Sequence, residues 1–291
     1  MATVALVLNT GRRRAVELAH QAADWLTAHD HEVRVPEEDA SASGLAKYGC
    51  PPDEVGPGAD VAVSLGGDGT ILRTVSLVAC HEVPVLGVNV GRLGYLAHVE
   101  PDALIEAMAR VVAGDVVLEE RLLLCVRVTA APGSPAADEG LQPEPLLALN
   151  EAVVEKASAG QVVHVGVHVD DEFFTSYAAD GLIVATPTGS TAYAFSARGP
   201  IIAPQHRALL LTPVSPHMAF DRSLVFAPAQ VLRLEVLDRP ARFIVDGREL
   251  GPLAPGSTIT CTAAEEVARF VSLGPWHFYR VLKSKFGLAD R

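Results

Sequence analysis

Apolar and polar positions change their period midway along the chain. In the first part, short unbroken apolar runs alternate with stretches of helical period. Thr3 to Leu8 reads as a buried strand, and Arg12 to His29 reads as a helix with Ala15, Leu18, Ala19, Ala22 and Leu26 on one face. His31 to Val35, Asp60 to Ser64 and Val83 to Val88 are further short strands; Ile71 to Val78 and Pro101 to Val112 are helices. Residues 36 to 58, rich in Pro, Gly, Ser and acids, are expected to be mostly loop. Strand and helix alternating in this way predict an α/β domain, a parallel sheet covered by helices with its ligands at the carboxyl ends of the strands.

Near Glu119 the helices thin out. Strand-like runs cover Leu122 to Ala130, Leu146 to Lys156, Val162 to Val169, Gly181 to Thr186, Leu209 to Pro213, Gln230 to Leu237, Arg242 to Asp246 and Ser257 to Ala263. This half is expected to be a mostly antiparallel β domain. Asp170-Asp171 and Asp246-Gly247 have the chemistry of hairpin turns, and Pro132 to Pro145 is a proline-rich polar insertion. Amphipathic, aromatic character returns in the tail, at Trp276, Phe278 and Tyr279. The tail is therefore expected to return to the first domain. The expected division is 1–120 with 265–291 as the α/β domain, and 121–264 as the β domain.

The 291 residues suffice for about two domains, and an apolar fraction of 49% supplies their cores. A formal net charge of −12 argues against a general nucleic-acid surface. No stretch is apolar enough and long enough to span a membrane, and the N-terminus reads as a short strand rather than a signal peptide. Cys50, Cys80, Cys125 and Cys261 lie far apart with no CxxC pair, as in reduced thiols of a cytoplasmic protein.

The candidate chemistry centres on Leu65-Gly66-Gly67-Asp68-Gly69-Thr70, a glycine turn between a strand and a helix. Backbone N–H groups and a helix N-terminus converge there, and the glycines let a phosphate or ribose approach the main chain. A carboxylate in such a turn repels a phosphate. Asp68 is thus a candidate proton acceptor, magnesium partner or sugar-hydroxyl acceptor; the bland alternative is a helix cap. In Asp180 to Tyr193 a strand runs into a Pro-Thr-Gly turn that gathers hydroxyls, N–H groups and one ring able to meet a base, though Tyr193 could equally be a core residue. Asn150-Glu151 is a polar pair between apolar neighbours. Arg12, Arg13, Arg14, Arg73 and Arg92 flank the first-domain loops and are candidates for donor phosphates; a solvated helix start explains the arginine run as well.

These motifs together resemble the NAD kinase family: Gly66 to Thr70, the Asn89 to Tyr95 stretch, Asn150-Glu151, Asp180 to Tyr193, Ser215-Pro216-His217 and Asp246-Gly247, in that order. The GGDGT turn alone is shared with lipid kinases. The resemblance implies a Rossmann-like α/β domain followed by a β domain, and transfer of the γ-phosphoryl of ATP, or of polyphosphate, to the 2′-hydroxyl of the adenosine ribose of NAD. It implies Asp68 as the catalytic aspartate. It implies an NAD site of Gly67, Asp68, Gly69, Leu72, Tyr95, Asn150, Glu151, Asp180, Thr188, Thr191, Ala192, Tyr193 and Ser196. Mg²⁺ or another divalent cation is implied as cofactor, and a homodimer or homotetramer as the assembly. The alternatives are a lipid kinase sharing the glycine turn and a non-enzymatic NAD(P)-binding sensor.

Overall fold

The computed structural model describes residues 1–91, 94–97, 99–131, 145–274 and 278–288. Arg92, Trp276 and the insertion from 132 to 144 lie outside the described residues. The chain divides into two compact units, 1–121 with 266–291, and 122–265.

The first unit opens with β1 (Thr3–Leu8), α1 (Arg13–Ala28), β2 (Glu32–Pro36), α2 (Glu37–Ser43) and β3 (Gly49–Cys50). It continues with β4 (Val61–Gly66), α3 (Asp68–Val78), β5 (Val85–Asn89) and α4 (Leu104–Val112). Strands β3, β2, β1, β4 and β5 lie side by side in that order, every pair parallel. All residues of β4 and β5 are buried, which is why they read as unbroken apolar runs rather than alternating ones. Leu18, Ala22 and Leu26 of α1 pack with Leu6, Leu8 and Val63 of the sheet in one core.

Two expectations change here. The stretch after β2 is not mostly loop: α2 occupies its first third. Glu37, Glu38 and Asp39 fill its first turn, where a helix favours negative charge, and Gly44 closes it in the left-handed conformation (φ 77°). The composition hid this helix because Ala40 and Ser43, its buried face, are small. The second change concerns α3, which starts at Asp68 rather than near Ile71. Asp68 therefore belongs to the first turn of a helix and not to the loop before it.

The second unit contains β7 (Leu146–Ala148), β8 (Glu151–Lys156), β9 (Val163–Val169), β10 (Glu172–Ala179), β11 (Gly181–Ala185), the one-turn α5 (Tyr193–Ser196) and β12 (Leu209–Val214). It goes on with β13 (Leu224–Phe226), β14 (Leu232–Val236), β15 (Ala241–Val245) and β16 (Arg248–Leu253). The chain leaves the first unit within β6 (Val117–Thr129) and re-enters it within β17 (Thr258–Ser272), beyond which lies α6 (Phe278–Phe286). Six strands form an antiparallel sheet in the order β13, β12, β11, β8, β15, β16. In the other antiparallel layer β9 pairs with β10 and β14, and β14 with β17. Tyr177 and Phe243 are the largest side chains in the core of this unit.

Both expected hairpin turns are present. Asp170 and Asp171 (φ 51° and 67°) join β9 to β10, and Asp246 and Gly247 (φ 47° and 78°) join β15 to β16. The run from Leu146 to Lys156 is not one strand. It breaks at Leu149 and Asn150, and Glu151 opens β8. The side chains of Asp246 and Thr186 cause the break.

Candidate functional site

The glycine turn sets the first unit's site. Gly67 precedes α3 without a side-chain cap, and Asp68 is the first helical residue. Its carboxylate does not cap α3. It reaches instead to the loop after β5, where it accepts the N–H of Tyr95 at 2.9 Å and of Leu96 at 3.2 Å. Gly94 permits this approach: a Cβ there would collide with the Asp68 carboxylate. A carboxylate at a helix N-terminus, held by two N–H groups, is oriented without being neutralised by a cation.

Asp68 faces a cavity of about 810 Å³ also lined by Asn9, Thr10, Arg12, Arg73 and Lys285. Glu38, Asp39, Gly67, Gly69, Thr70 and Gly94 complete most of its wall. Three cations and three carboxylates thus share one concavity. Arg12 donates to the Val90 carbonyl, and Arg73 is paired with the buried Asp39 at 2.5 Å. The Lys285 ammonium stands 4.1 Å over the Tyr95 ring. Burial, and then the Asp68 charge, hold the Tyr95 phenol above its ordinary value. Arg13 is placed differently: it is almost fully exposed and pairs with Glu17 at 2.9 Å on the surface of α1. Leu72 is half-buried and stands outside the cavity wall.

In the second unit the Asn150-Glu151 pair is fixed through its backbone. Asp246 accepts the N–H of Leu149 and Asn150, each at 2.8 Å, and of Glu151 at 3.1 Å. Thr186 holds the other side: its hydroxyl donates to the Leu149 carbonyl and its N–H to the Asn150 carbonyl. These bonds replace ladder bonds and break the strand there. Gly189 packs so closely on Asn150 that a Cβ would strike its backbone. Glu151 is only 7% exposed, and its Oε2 is buried with no hydrogen-bond partner among the described residues. Burial first, and then the Asp246 charge, raise its carboxyl to about 8, while the Tyr193 N–H pulls the other way.

The Pro-Thr-Gly turn is the predicted cluster. Thr188 is buried, its hydroxyl without a partner among the described residues, and the Thr191 hydroxyl donates to the Thr188 carbonyl. Half-buried Tyr193 donates its phenol to Glu155 at 3.1 Å, and burial, then Glu155, push that phenol up to about 12. Ala192 is half-buried, and Ser196 is exposed at the end of α5. Asp180 is ion-paired with Lys156 at 2.5 Å.

Sequence reasoning missed Asp39, Lys285, Lys156 and the clamp by Asp246. Asp246 was within reach as half of a turn motif. Lys285 carried only the weak signal of a basic amphipathic tail, and nothing marked Asp39.

Among the described residues no group of three or more His, Cys, Asp or Glu side chains could hold a metal ion. None of the described helices is long and apolar enough to cross a membrane.

Residues 4–116 match the ATP-NAD kinase N-terminal domain, and residues 149–273 match the ATP-NAD kinase C-terminal domain. An NAD kinase of Heliobacterium modesticaldum is 39% identical over 289 residues, covering 98% of both chains. NAD kinase 1 of Streptomyces avermitilis is 38% identical, covering 99% of this chain and 87% of its own. Among solved structures, yeast NADH kinase complexed with NADH superposes with a TM-score of 0.87 at 22% identity, over 100% of this chain and 89% of the other, a likeness of fold. An NAD kinase from Archaeoglobus fulgidus in complex with ATP superposes with a TM-score of 0.69 at 26% identity, over 98% and 97%. With the GGDGT turn, the Asn-Glu pair and both domains matched in order, the chain belongs to the ATP-NAD kinase family.

Proposed function

We propose that this chain, an NAD kinase by family, moves the γ-phosphoryl of ATP to the 2′-hydroxyl of the adenosine ribose of NAD with Asp68 as proton acceptor. One observation carries the assignment of Asp68: its carboxylate is held by two N–H groups at the head of α3, on the wall of a cavity that also bears Arg12, Arg73 and Lys285. A ribose hydroxyl attacks well only as its proton leaves, and a carboxylate oriented in advance can take that proton in the transition state. The cations on the same wall suit the negative charge of a donor's phosphates.

In the second unit, Asn150 and Glu151 serve as polar contacts for the dinucleotide. Thr188, Thr191, Ala192 and Tyr193 supply hydroxyl, N–H and ring contacts for its adenosine half, and Asp180 and Ser196 lie on the nicotinamide side. The α/β unit is the donor and catalytic half, with residues from 266 onward belonging to it through Lys285. The β unit is the dinucleotide half.

A Mg²⁺ ion suits this donor set only when it arrives with the donor. Without a cluster of three acidic or imidazole ligands among the described residues, phosphate oxygens and water would complete its shell, with Glu38 or Asp68 adding a carboxylate. When bound, such an ion neutralises charge on the phosphates. We further infer a cytoplasmic homodimer or homotetramer. The free state of all four cysteines suits that compartment, and Phe173 and Phe174 of β10, 63% and 45% exposed, suit an interface.

The test is purified protein with NAD, Mg²⁺ and either ATP or polyphosphate, coupled to an NADP-specific dehydrogenase. NADP formation is expected. NAD binding without turnover on any donor would make the chain a sensor, and lipid phosphorylation would make it a lipid kinase. Light scattering on the same sample should exceed the mass of one chain; a monomer at micromolar concentration counts against the assembly.

A further inference from the structure

Asp246 is half-buried and lies in the left-handed conformation (φ 47°), between β15 and β16. A side chain other than glycine rarely takes that conformation without a local reason. Here the reason is the three backbone N–H groups of Leu149, Asn150 and Glu151 that converge on its two oxygens. Its own N–H donates to the Glu151 carbonyl at 3.0 Å. With Thr186 on the other side, every N–H and carbonyl of Leu149, Asn150 and Glu151 has a partner. That backbone has no freedom left to adjust when a ligand arrives.

Accepting three N–H donors and giving none suits the ionised form of Asp246. Burial raises its carboxyl, and the three N–H bonds oppose that rise. Beside it stands the Glu151 carboxyl, with one oxygen buried and without a partner among the described residues. Tyr193 of α5 also acts on Glu151, through its N–H and its phenol. Tyr193 is in turn influenced by Glu155 and Asp180, and Asp180 is already paired with Lys156. No cation among these faces Glu151 itself.

We propose that Asp246 is a positioning residue for the dinucleotide: its carboxylate presets the backbone of the Asn150-Glu151 pair. This rests on the reading that Asn150 and Glu151 hold NAD. Asp246 touches no substrate in this account and acts only through the pair.

The experiment compares wild type, Asp246→Asn, Glu151→Gln and Asn150→Ala in steady-state kinetics for both substrates and in NAD titrations across neutral and alkaline pH. Asparagine keeps the size of the side chain but turns an NH₂ toward one of the three N–H donors and removes the charge. The KM for NAD should rise about tenfold, equivalent to about 1.4 kcal/mol, with kcat and the KM for ATP within about threefold. NAD affinity should show a pH midpoint above the ordinary carboxylate range in wild type, moved down in Asp246→Asn and absent in Glu151→Gln. An unchanged KM for NAD with an unmoved midpoint overturns the proposal. So does an equal loss in every kinetic constant, which is general structural damage. If Asn150→Ala also leaves NAD binding intact, the assignment of the pair fails and this inference falls with it. If it weakens NAD binding and Asp246→Asn does not, only the inference falls. Should Asp246→Asn not fold, Asp246→Glu decides: it keeps the charge but moves the carboxylate off the three N–H groups, and an unchanged KM for NAD in that variant overturns the proposal.

Discussion

Arg73 and Asp39, 34 residues apart, meet fork to fork: the two terminal nitrogens of the guanidinium donate to the two carboxylate oxygens at 2.9 and 2.5 Å. Arg73 also donates to the Leu8 carbonyl, and Asp39 accepts the Leu8 N–H, both at 2.9 Å. One pair thereby ties the end of β1, the first turn of α2 and the face of α3 into the cavity wall. Its guanidinium is aimed before any phosphate arrives.

Asp39→Ala should therefore cost both stability and donor binding. Asp39 is 4% exposed, and its loss leaves the Leu8 N–H and a partly buried guanidinium without partners. The expected loss is about 1–3 kcal/mol, read from urea unfolding, with a raised KM for ATP and little change in that for NAD. A variant as stable as wild type would reduce the pair to a surface contact.

Lys285→Ala should raise the KM for ATP about fivefold, the effect of roughly 1 kcal/mol expected of an exposed charge. Among the described residues it stands over the Tyr95 ring and makes no ion pair, so it can turn to a phosphate without giving one up. The difference from wild type should shrink as salt is added. A KM unaffected at low salt would remove Lys285 from the donor site.

How much of this was legible in the sequence depends on the range of the interaction. The parallel strands were readable because burial on both faces writes an unbroken apolar run, and the hairpin at Asp246-Gly247 because its backbone demands φ above zero. The Asp68 turn and the Asn150-Glu151 pair were readable as local motifs. What holds them was not. The bonds from Asp68 to Tyr95 and Leu96 span 27 and 28 residues, and those from Asp246 to the pair span 95 and 96. No periodicity records such a partner. The α2 helix was missed for a different reason: a short helix with alanine and serine on its buried face has the composition of a loop.

Glu151 gives a pH-dependent stability. Its folded value, about 8, lies above the ordinary 4.5. Between these two values the unfolded chain binds fewer protons than the folded one, so stability falls as pH rises through this window and levels off above it. Glu151→Gln should match wild type in stability near the lower end and exceed it increasingly toward the upper end, by up to about 1.4 kcal/mol per pH unit. Thermal unfolding of both proteins across the window checks this. Parallel pH profiles would mean that Glu151 ionises normally in the fold.

Tyr193 separates two contributions. Its phenol is bonded to Glu155, while its ring is only half-buried. Tyr193→Phe removes the hydrogen bond alone and should leave NAD affinity within about threefold, a neutral-to-charged bond largely exchanged for water. Tyr193→Ala removes the ring and should weaken NAD by about 1–3 kcal/mol, by analogy with base–aromatic stacking. Equal affinities in a well-folded Tyr193→Ala variant would return the ring to a packing role.

Asp68→Asn tests the chemistry itself. Asparagine keeps the size of the side chain and one oxygen for the Tyr95 and Leu96 N–H groups, and it can still hydrogen-bond a ribose, but it cannot take a proton. The fall in kcat should be about 10²–10⁴-fold, the usual range for a general base, with NAD affinity changed far less. That split marks an interaction made in the transition state rather than uniform binding. The alternative makes Asp68 only a brace between α3 and the Tyr95 loop, the role its two N–H bonds perform without any substrate. A brace predicts a loss of about 1 kcal/mol in stability and a chemical step within a few-fold of wild type. Thermal unfolding, NAD affinity and single-turnover rate on the one variant separate the two, because a brace moves the first and a base moves the last.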